Sequence, residues 1–268
     1  MFIIDFHTHC FPDAIAHKAV GYLAEKAGIK NWHDGTLAGL DGVERSAGCG
    51  GYVIQSIATN PKQTASVNRF AAASQDEKRH VYAFGSIHPD DTGYKEQLRD
   101  AKALGLKGIK LHPEYQEFHV NDPKMFPIYE EIFRQGFPLL FHAGEDLGFA
   151  PPWHGEPEKI AQIAERYQQA TIIAAHMGGY GMWRRAAEVL APHKNVLIDI
   201  SFYAGRMPAE EFEEAYRIWG GERLLFGTDA PWSDIKPATH MVNSLSCPAE
   251  DKQLIFSGNA LRVLGCSK

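Results

Sequence analysis

At 268 residues and a formal net charge of −6, the chain lacks the positive charge of a general nucleic-acid or anionic-membrane surface, and no Lys/Arg block offsets this. Hydrophobic residues make up 44% and charged residues 22%, as in an ordinary globular protein, and no apolar run approaches the ~18 residues of a membrane span. The four cysteines (Cys10, Cys49, Cys247, Cys266) contain no C-x-x-C pair and read as reduced thiols. Asp5 and His7 stand where a secretion signal would need its apolar core, so a cytoplasmic location is expected.

The first predicted element is a strand over 2–6 that runs into His7-Thr8-His9. Residues two apart on a strand share a face, so Asp5, His7 and His9 are expected to project together. Paired imidazoles suit a divalent metal, although a chain with 13 histidines can show H-x-H by chance. Further strands are predicted over 52–58, 81–88, 107–112, 138–142, 171–176, 195–201 and 223–229. Several are Ile, Val, Leu and Phe runs without alternation, the pattern of a strand buried on both faces. Amphipathic stretches lie between them. Met125, Ile128, Tyr129, Ile132 and Phe133 form a stripe closed by Gly136; Ile160, Ile163, Ala164 and Tyr167 form another after Pro157, which suits a first helical turn. Gly105 and Gly220 stand where neighbouring helices should stop.

Eight strands alternating with helices predict an α/β architecture, and no G-x-G-x-x-G follows any strand to support a dinucleotide-binding open sheet. A single-domain (β/α)8 TIM barrel over residues 1–268 is the expected fold, because such barrels gather functional groups at the C-terminal ends of their strands. His7/His9, His88, His112, His142, His176 and Asp229 each close a predicted strand. For His88 and His112, each followed by proline, structural and substrate-facing roles are evenly balanced.

The ordered motifs DFHTHCFPD at the start, GIKLHP at 108–113, FHAGEDLGFAPP at 141–152, AHMGG at 175–179, LFGTDAPW at 225–232 and SGNALRVLG at 257–265 resemble the amidohydrolase superfamily. More narrowly, they resemble the amidohydrolase-related branch that includes aminocarboxymuconate semialdehyde decarboxylase. The resemblance implies His7, His9 and His142 as metal ligands, with Asp229 as the remaining ligand or the partner of a metal-bound water. It also implies His176 as an acid/base group or an extra ligand. Three imidazoles and a carboxylate suit one divalent ion, zinc first and manganese as the alternative, whose activated water Asp229 and His176 could serve as proton carriers.

Lys110 shares parity with His112 and should point into the barrel, paired with a carboxylate such as Asp5 or Glu145. A single metal is favoured, with a dinuclear site left open. Among loop residues, Trp153, Arg206 and Trp232 are expected to join Lys110 and His112 in substrate binding, with Arg206 the foremost anion clamp. Trp183 is expected to pack, and Gly178, Gly179 and Gly181 to permit close backbone approach. The leading expectation is hydrolysis of an amide, lactone or ester bond in a small molecule by a metal-activated water. The alternative is non-oxidative decarboxylation of an enol or aromatic acid. A third reading is an inactive metal-binding barrel acting as an interaction protein. The expected partner is a small molecule, a carboxylate among the candidates, and a homodimer is admissible; neither nucleic acid nor membrane is expected.

Overall fold

The computed structural model describes residues 1–266. Its eight strands are β1 (Ile4–Thr8), β2 (Gly51–Gln55), β3 (Val81–Phe84), β4 (Ile109–Leu111), β5 (Leu139–Phe141), β6 (Ile172–Ala174), β7 (Val196–Asp199) and β8 (Leu224–Leu225). All eight predicted strands are present; β2 to β8 are shorter than predicted and β1 runs on to Thr8, so His7 lies within β1 while His9, His88, His112, His142, His176 and Asp229 fall beyond strand ends. Pairing is parallel throughout, in the orders β1-β2-β3 and β4-β5-β6-β7-β8. Two seams close the ring into a TIM barrel. The Gly85 N–H donates to Gly108 O and Lys110 N–H to Gly85 O, while Phe6 N–H donates to Phe226 O and Asp229 N–H to His7 O.

The strands separate two apolar layers. Ile4, Phe6, Val53, Leu140, Ile173 and Leu197 belong to the inner core. Ile54, Ile109, Phe141, Ile172 and Ile198 belong to the larger layer shared with the helices. Burial on both faces is why the runs showed no alternation. The helices are α1 (Asp13–Ala27), α2 (Leu37–Ser46), α3 (Thr64–Ala73), α4 (Tyr94–Ala103), α5 (Phe126–Arg134), α6 (Pro157–Arg166), α7 (Trp183–Leu190), α8 (Ala209–Trp219), α9 (Ile235–Asn243), α10 (Ala249–Gln253) and α11 (Asn259–Leu264). The glycine stops lie as expected: Gly105, Gly136 and Gly220 follow α4, α5 and α8 with positive φ. Leu261 and Leu264 of α11 pack onto the inner core.

Two helices separate β1 from β2. The first, α1, is alanine-rich, with Asp13 in its first turn and Lys26 in its last, and stops at Gly28 in the left-handed conformation. Only Ala16, Val20 and Ala24 of α1 are buried. The returning loop fits closely on that face: a Cβ at Gly35, where φ is +83°, would collide with Val20.

Glu44 of α2 is 1% exposed, and among the described residues neither carboxyl oxygen has a hydrogen-bond partner. Burial, reinforced by Asp5, pushes its pKa well above the ordinary value. A raised folded-state pKa gives stability that is complete below the unfolded-state value of about 4.3 and lost as pH climbs towards the folded value. Glu44→Gln should therefore raise Tm relative to wild type more at pH 8 than at pH 5. A Tm difference that is the same at both pH values would show that Glu44 is not buried as the neutral acid.

Candidate metal centre and active site

Strict alternation would send His7 away from the barrel interior, because Ile4 and Phe6 belong to the inner core. The β1–β2 register is irregular between Asp5 and Thr8, and this irregularity turns His7 inward. Asp5 does not join the histidines, contrary to the one-face expectation. Its Oδ1 accepts the N–H groups of His7 (3.1 Å) and Thr228 (3.0 Å), tying β1 to the segment after β8. Burial raises the Asp5 carboxyl to about 7.

His7 Nε2 and His9 Nε2 lie 3.4 and 3.0 Å from the same Asp229 Oδ1. The opposite nitrogens are anchored: His7 Nδ1 donates to Asp199 Oδ2 (2.8 Å) and His9 Nδ1 to the Gln55 carbonyl (2.8 Å). With Nδ1 engaged in this way, each ring turns its Nε2 towards the same carboxylate oxygen. Burial, followed by the charge of Lys110, holds His7 well below its ordinary pKa and so neutral. A divalent cation would satisfy three lone-pair donors so oriented, and the anchored Nδ1–H is the usual support of a metal-ligating histidine.

His142 is not brought into this triad. Its Nδ1 is 3.1 Å from His176 Nε2 and its Nε2 is 3.2 Å from Glu145 O, so both nitrogens already have partners. The His142 ring stacks on His112 at 4.1 Å and 13°, and both face Asp146, at 3.2 Å from His112 and 3.9 Å from His142. Imidazole lone pairs lie in the ring plane, so two nearly parallel stacked rings cannot both direct one at the same ion. That cluster therefore reads as neutral imidazoles gathered around the Asp146 carboxylate, with His112 hydrogen-bonded to it, rather than as a second metal site. Burial holds His142 down to about 3. Although burial opposes it, hydrogen bonding to His112 pulls Asp146 below the carboxylate range.

Asp199, which sequence reasoning missed, is the hub of the site. It is fully buried at the end of β7, accepts His7 Nδ1–H, and also accepts the N–H groups of His176 (3.0 Å) and Ser201 (3.1 Å). Ser201 Oγ lies against Asp199 Oδ1, 2.8 Å from His176 Nδ1 and 3.2 Å from His7 Nδ1. The available signal was an acid inside the apolar run Val196-Leu197-Ile198-Asp199-Ile200. His176 and Asp229 themselves hold φ of 57° and 70°, a left-handed conformation that costs a non-glycine residue roughly 1–3 kcal/mol. Burial raises the Asp229 carboxyl despite its hydrogen bond to His9.

These groups open into a cavity of about 710 Å³ that Lys110, His112 and Trp232 also line. Lys110 is fully buried and pairs with neither Asp5 nor Glu145; its Nζ lies 3.5 Å from His7 Nε2. Burial lowers its pKa to about 8, opposed by Asp199, Asp229 and Asp146. Two expected substrate residues do not reach the cavity. The exposed Arg206 guanidinium stacks on Phe202 at 3.8 Å and donates to the Phe202 carbonyl. Trp153 lies outside the lining and offers its carbonyl to Lys159. Trp183 packs as expected, its Nε1–H donating to Glu211 (2.8 Å). His88 also lies outside the cavity lining, its Nδ1 accepting the Asp90 N–H.

A barrel carrying His7, His9 and Asp229 at one mouth defines the class, and comparison with known proteins defines the family. Residues 4–266 match the amidohydrolase family model, and the chain belongs to the amidohydrolase superfamily, in its aminocarboxymuconate semialdehyde decarboxylase-like branch. It is 24% identical over 231 residues to 2-amino-3-carboxymuconate-6-semialdehyde decarboxylase of Dictyostelium discoideum, covering 72% of this chain and 63% of that protein. It is 25% identical over 255 residues to gamma-resorcylate decarboxylase of Polaromonas sp., covering 77% and 78%. The chain thus spans less than two thirds of the first relative. An uncharacterised TIM-barrel protein from Bordetella bronchiseptica superposes with a TM-score of 0.81 at 20% identity, covering 99% of both chains. A dihydroxybenzoic acid decarboxylase of Polaromonas sp. JS666, with bound manganese and 2-nitroresorcinol, gives 0.71 at 16%, covering 98% and 97%. These relatives correct the expectation of hydrolysis as the leading reaction, since both curated proteins are carboxy-lyases. Both curated relatives are named for a decarboxylase activity and lend no support to the reading of an inactive barrel. Among the described residues no helix is long and apolar enough to cross a membrane.

Proposed function

We propose that this chain is a metal-dependent, non-oxidative carboxy-lyase that removes CO2 from a small aromatic or enolic acid. One observation carries the reading. Lys110 is a fully buried cation facing the His/Asp cavity, and among the described residues it forms no salt bridge. Asp199, Asp229 and Asp146 act on this ammonium without any of them closing a salt bridge to it, so its direct contact is left to an anionic ligand, and a carboxylate supplies it. The decarboxylase relatives support the same chemistry.

His7, His9 and Asp229 would hold the ion. Manganese in the Polaromonas structure and the mixed nitrogen–oxygen donor set support Mn2+ or Zn2+. The bound ion would supply Lewis-acid polarisation of a substrate oxygen. The residues do the rest. Lys110 and His112 orient the acid, and the bond from ring or enol carbon to carboxylate breaks. Its electron pair stays on that carbon, a proton from water passed on by His176 takes the vacated place, and CO2 leaves. Ser201 Oγ holds the His176 ring at Nδ1 and Asp199 accepts the His176 backbone N–H, which together fix that residue for the transfer. Buried free thiols at Cys10 and Cys49 support a reducing, cytoplasmic setting.

The test is CO2 release from a panel of hydroxybenzoates and enol acids, with metal-loaded, chelator-treated and metal-restored protein. Release matching acid consumption, lost on chelation and regained with Mn2+ or Zn2+, is expected. Metal-loaded protein that releases CO2 from no acid in the panel would refute the reading.

A further inference from the structure

The cavity is far larger than a single-ring acid requires. Its 710 Å³ falls in the range of pockets that enclose drug-sized ligands, ~300–1,000 Å³. One long wall of the extra space is α1, and Ser66, Val67 and Phe70 of α3 line the cavity as well. Ile15, Ala19, Tyr22, Leu23 and Lys26 recur at helical spacing and line the cavity, on a different face from buried Ala16, Val20 and Ala24. From Ile15 to Lys26 this stripe runs roughly 16 Å at 1.5 Å per residue. Ile15 (51%) and Tyr22 (61%) are among the most exposed large apolar side chains, and Leu147 (44%) joins them in the lining. Apolar side chains left in water along one wall mark a surface that a ligand covers.

The far end of the stripe is cationic. Lys26 Nζ sits 3.5 Å from the Phe149 ring centroid and 4.8 Å from that of Tyr115. Those rings belong to the segments after β5 and β4, whereas α1 begins just after β1, so the helix spans the barrel mouth. The Tyr115 ring meets the His112 ring edge-on at 4.7 Å, which places Lys26 two ring-to-ring steps from the reacting end. Among the described residues Lys26 forms no salt bridge or hydrogen bond, so its charge is held on aromatic faces and is available to an anion.

We infer that the substrate is an extended acid: its reacting carboxylate lies at the His/Asp cluster, an apolar chain or second ring lies along α1, and a second carboxylate ends at Lys26. The inference rests on the carboxy-lyase reading only for the fate of the first carboxylate.

Calorimetric Kd values and CO2 release would be compared for three acids: a compact hydroxybenzoate, the same head with a straight alkyl tail, and that tail ending in carboxylate. The tail should tighten binding about fourfold per buried methylene. The terminal carboxylate should add a further 10- to 100-fold, the range for a charge-assisted contact. Lys26→Met should cancel that further gain. Ala19→Trp, which fills the extension, should cancel the advantage of the tail. Thermal melts would confirm that both variants fold. Equal binding of compact and extended acids, or a terminal-carboxylate preference that persists in Lys26→Met, would overturn the inference. Tail- and Lys26-dependent binding with no CO2 from any acid would sustain it while refuting the carboxy-lyase reading. CO2 release from compact acids with no gain from the tail would do the reverse.

Discussion

His176→Asn should retain its metal and lose turnover by roughly 10²–10⁴-fold, the usual worth of a positioned acid/base group. Its Nδ1 is 2.8 Å from Ser201 Oγ and its Nε2 3.1 Å from His142 Nδ1, whereas the Nε2 atoms around Asp229 belong to His7 and His9. Asparagine keeps one polar group near Ser201 but cannot deliver a proton. Elemental analysis beside kcat separates the roles. Loss of metal would make His176 a ligand, and near-wild-type kcat would remove it from proton transfer.

The second large effect is expected at His7. His7→Ala should leave less than a tenth of the wild-type metal content and no measurable CO2 release, because it removes one of three converging donors and the partner of Asp199. The fold should persist, since the inner core of Ile4, Phe6, Leu140 and Leu197 is untouched. Asp199→Asn tests the same arrangement more gently. An amide cannot supply the acceptor pattern that both His7 Nδ1–H and the His176 and Ser201 N–H groups use, and metal affinity should fall about 10–100-fold. Full metal occupancy in His7→Ala would invalidate the proposed centre.

The barrel was legible because both-face burial writes itself into sequence as unbroken apolar runs, and because polar residues close those runs. What was not legible depends on partners remote in the chain. Asp199 matters because β7 stands across from His7, 192 residues away. Asp5 was misassigned because a local irregularity in β1 overrides strand parity. Lys110 was rightly aimed inward but given the wrong neighbours, since side-chain pairing across a barrel is set by three-dimensional register. The Arg206 guanidinium is not among the groups lining the cavity because it stacks on the ring of Phe202, four residues before it, and donates to its carbonyl. The α1 helix was overlooked because alanines at 14, 16, 19, 24 and 27 spread around it, so no single stripe stands out.

The groups that do chemistry are scattered from His7 to Asp229 and held by closure of the whole ring, whereas one long wall of the cavity is a single stretch between Asp13 and Ala27. The two are therefore separable units of inheritance. A change of reaction demands concerted change at several strand ends. A change of diet can begin with new side chains on one face of one helix, with no strand displaced. Transplanting residues 13–27 between barrels of this kind is accordingly a direct route to a catalyst with the same reaction and a different appetite.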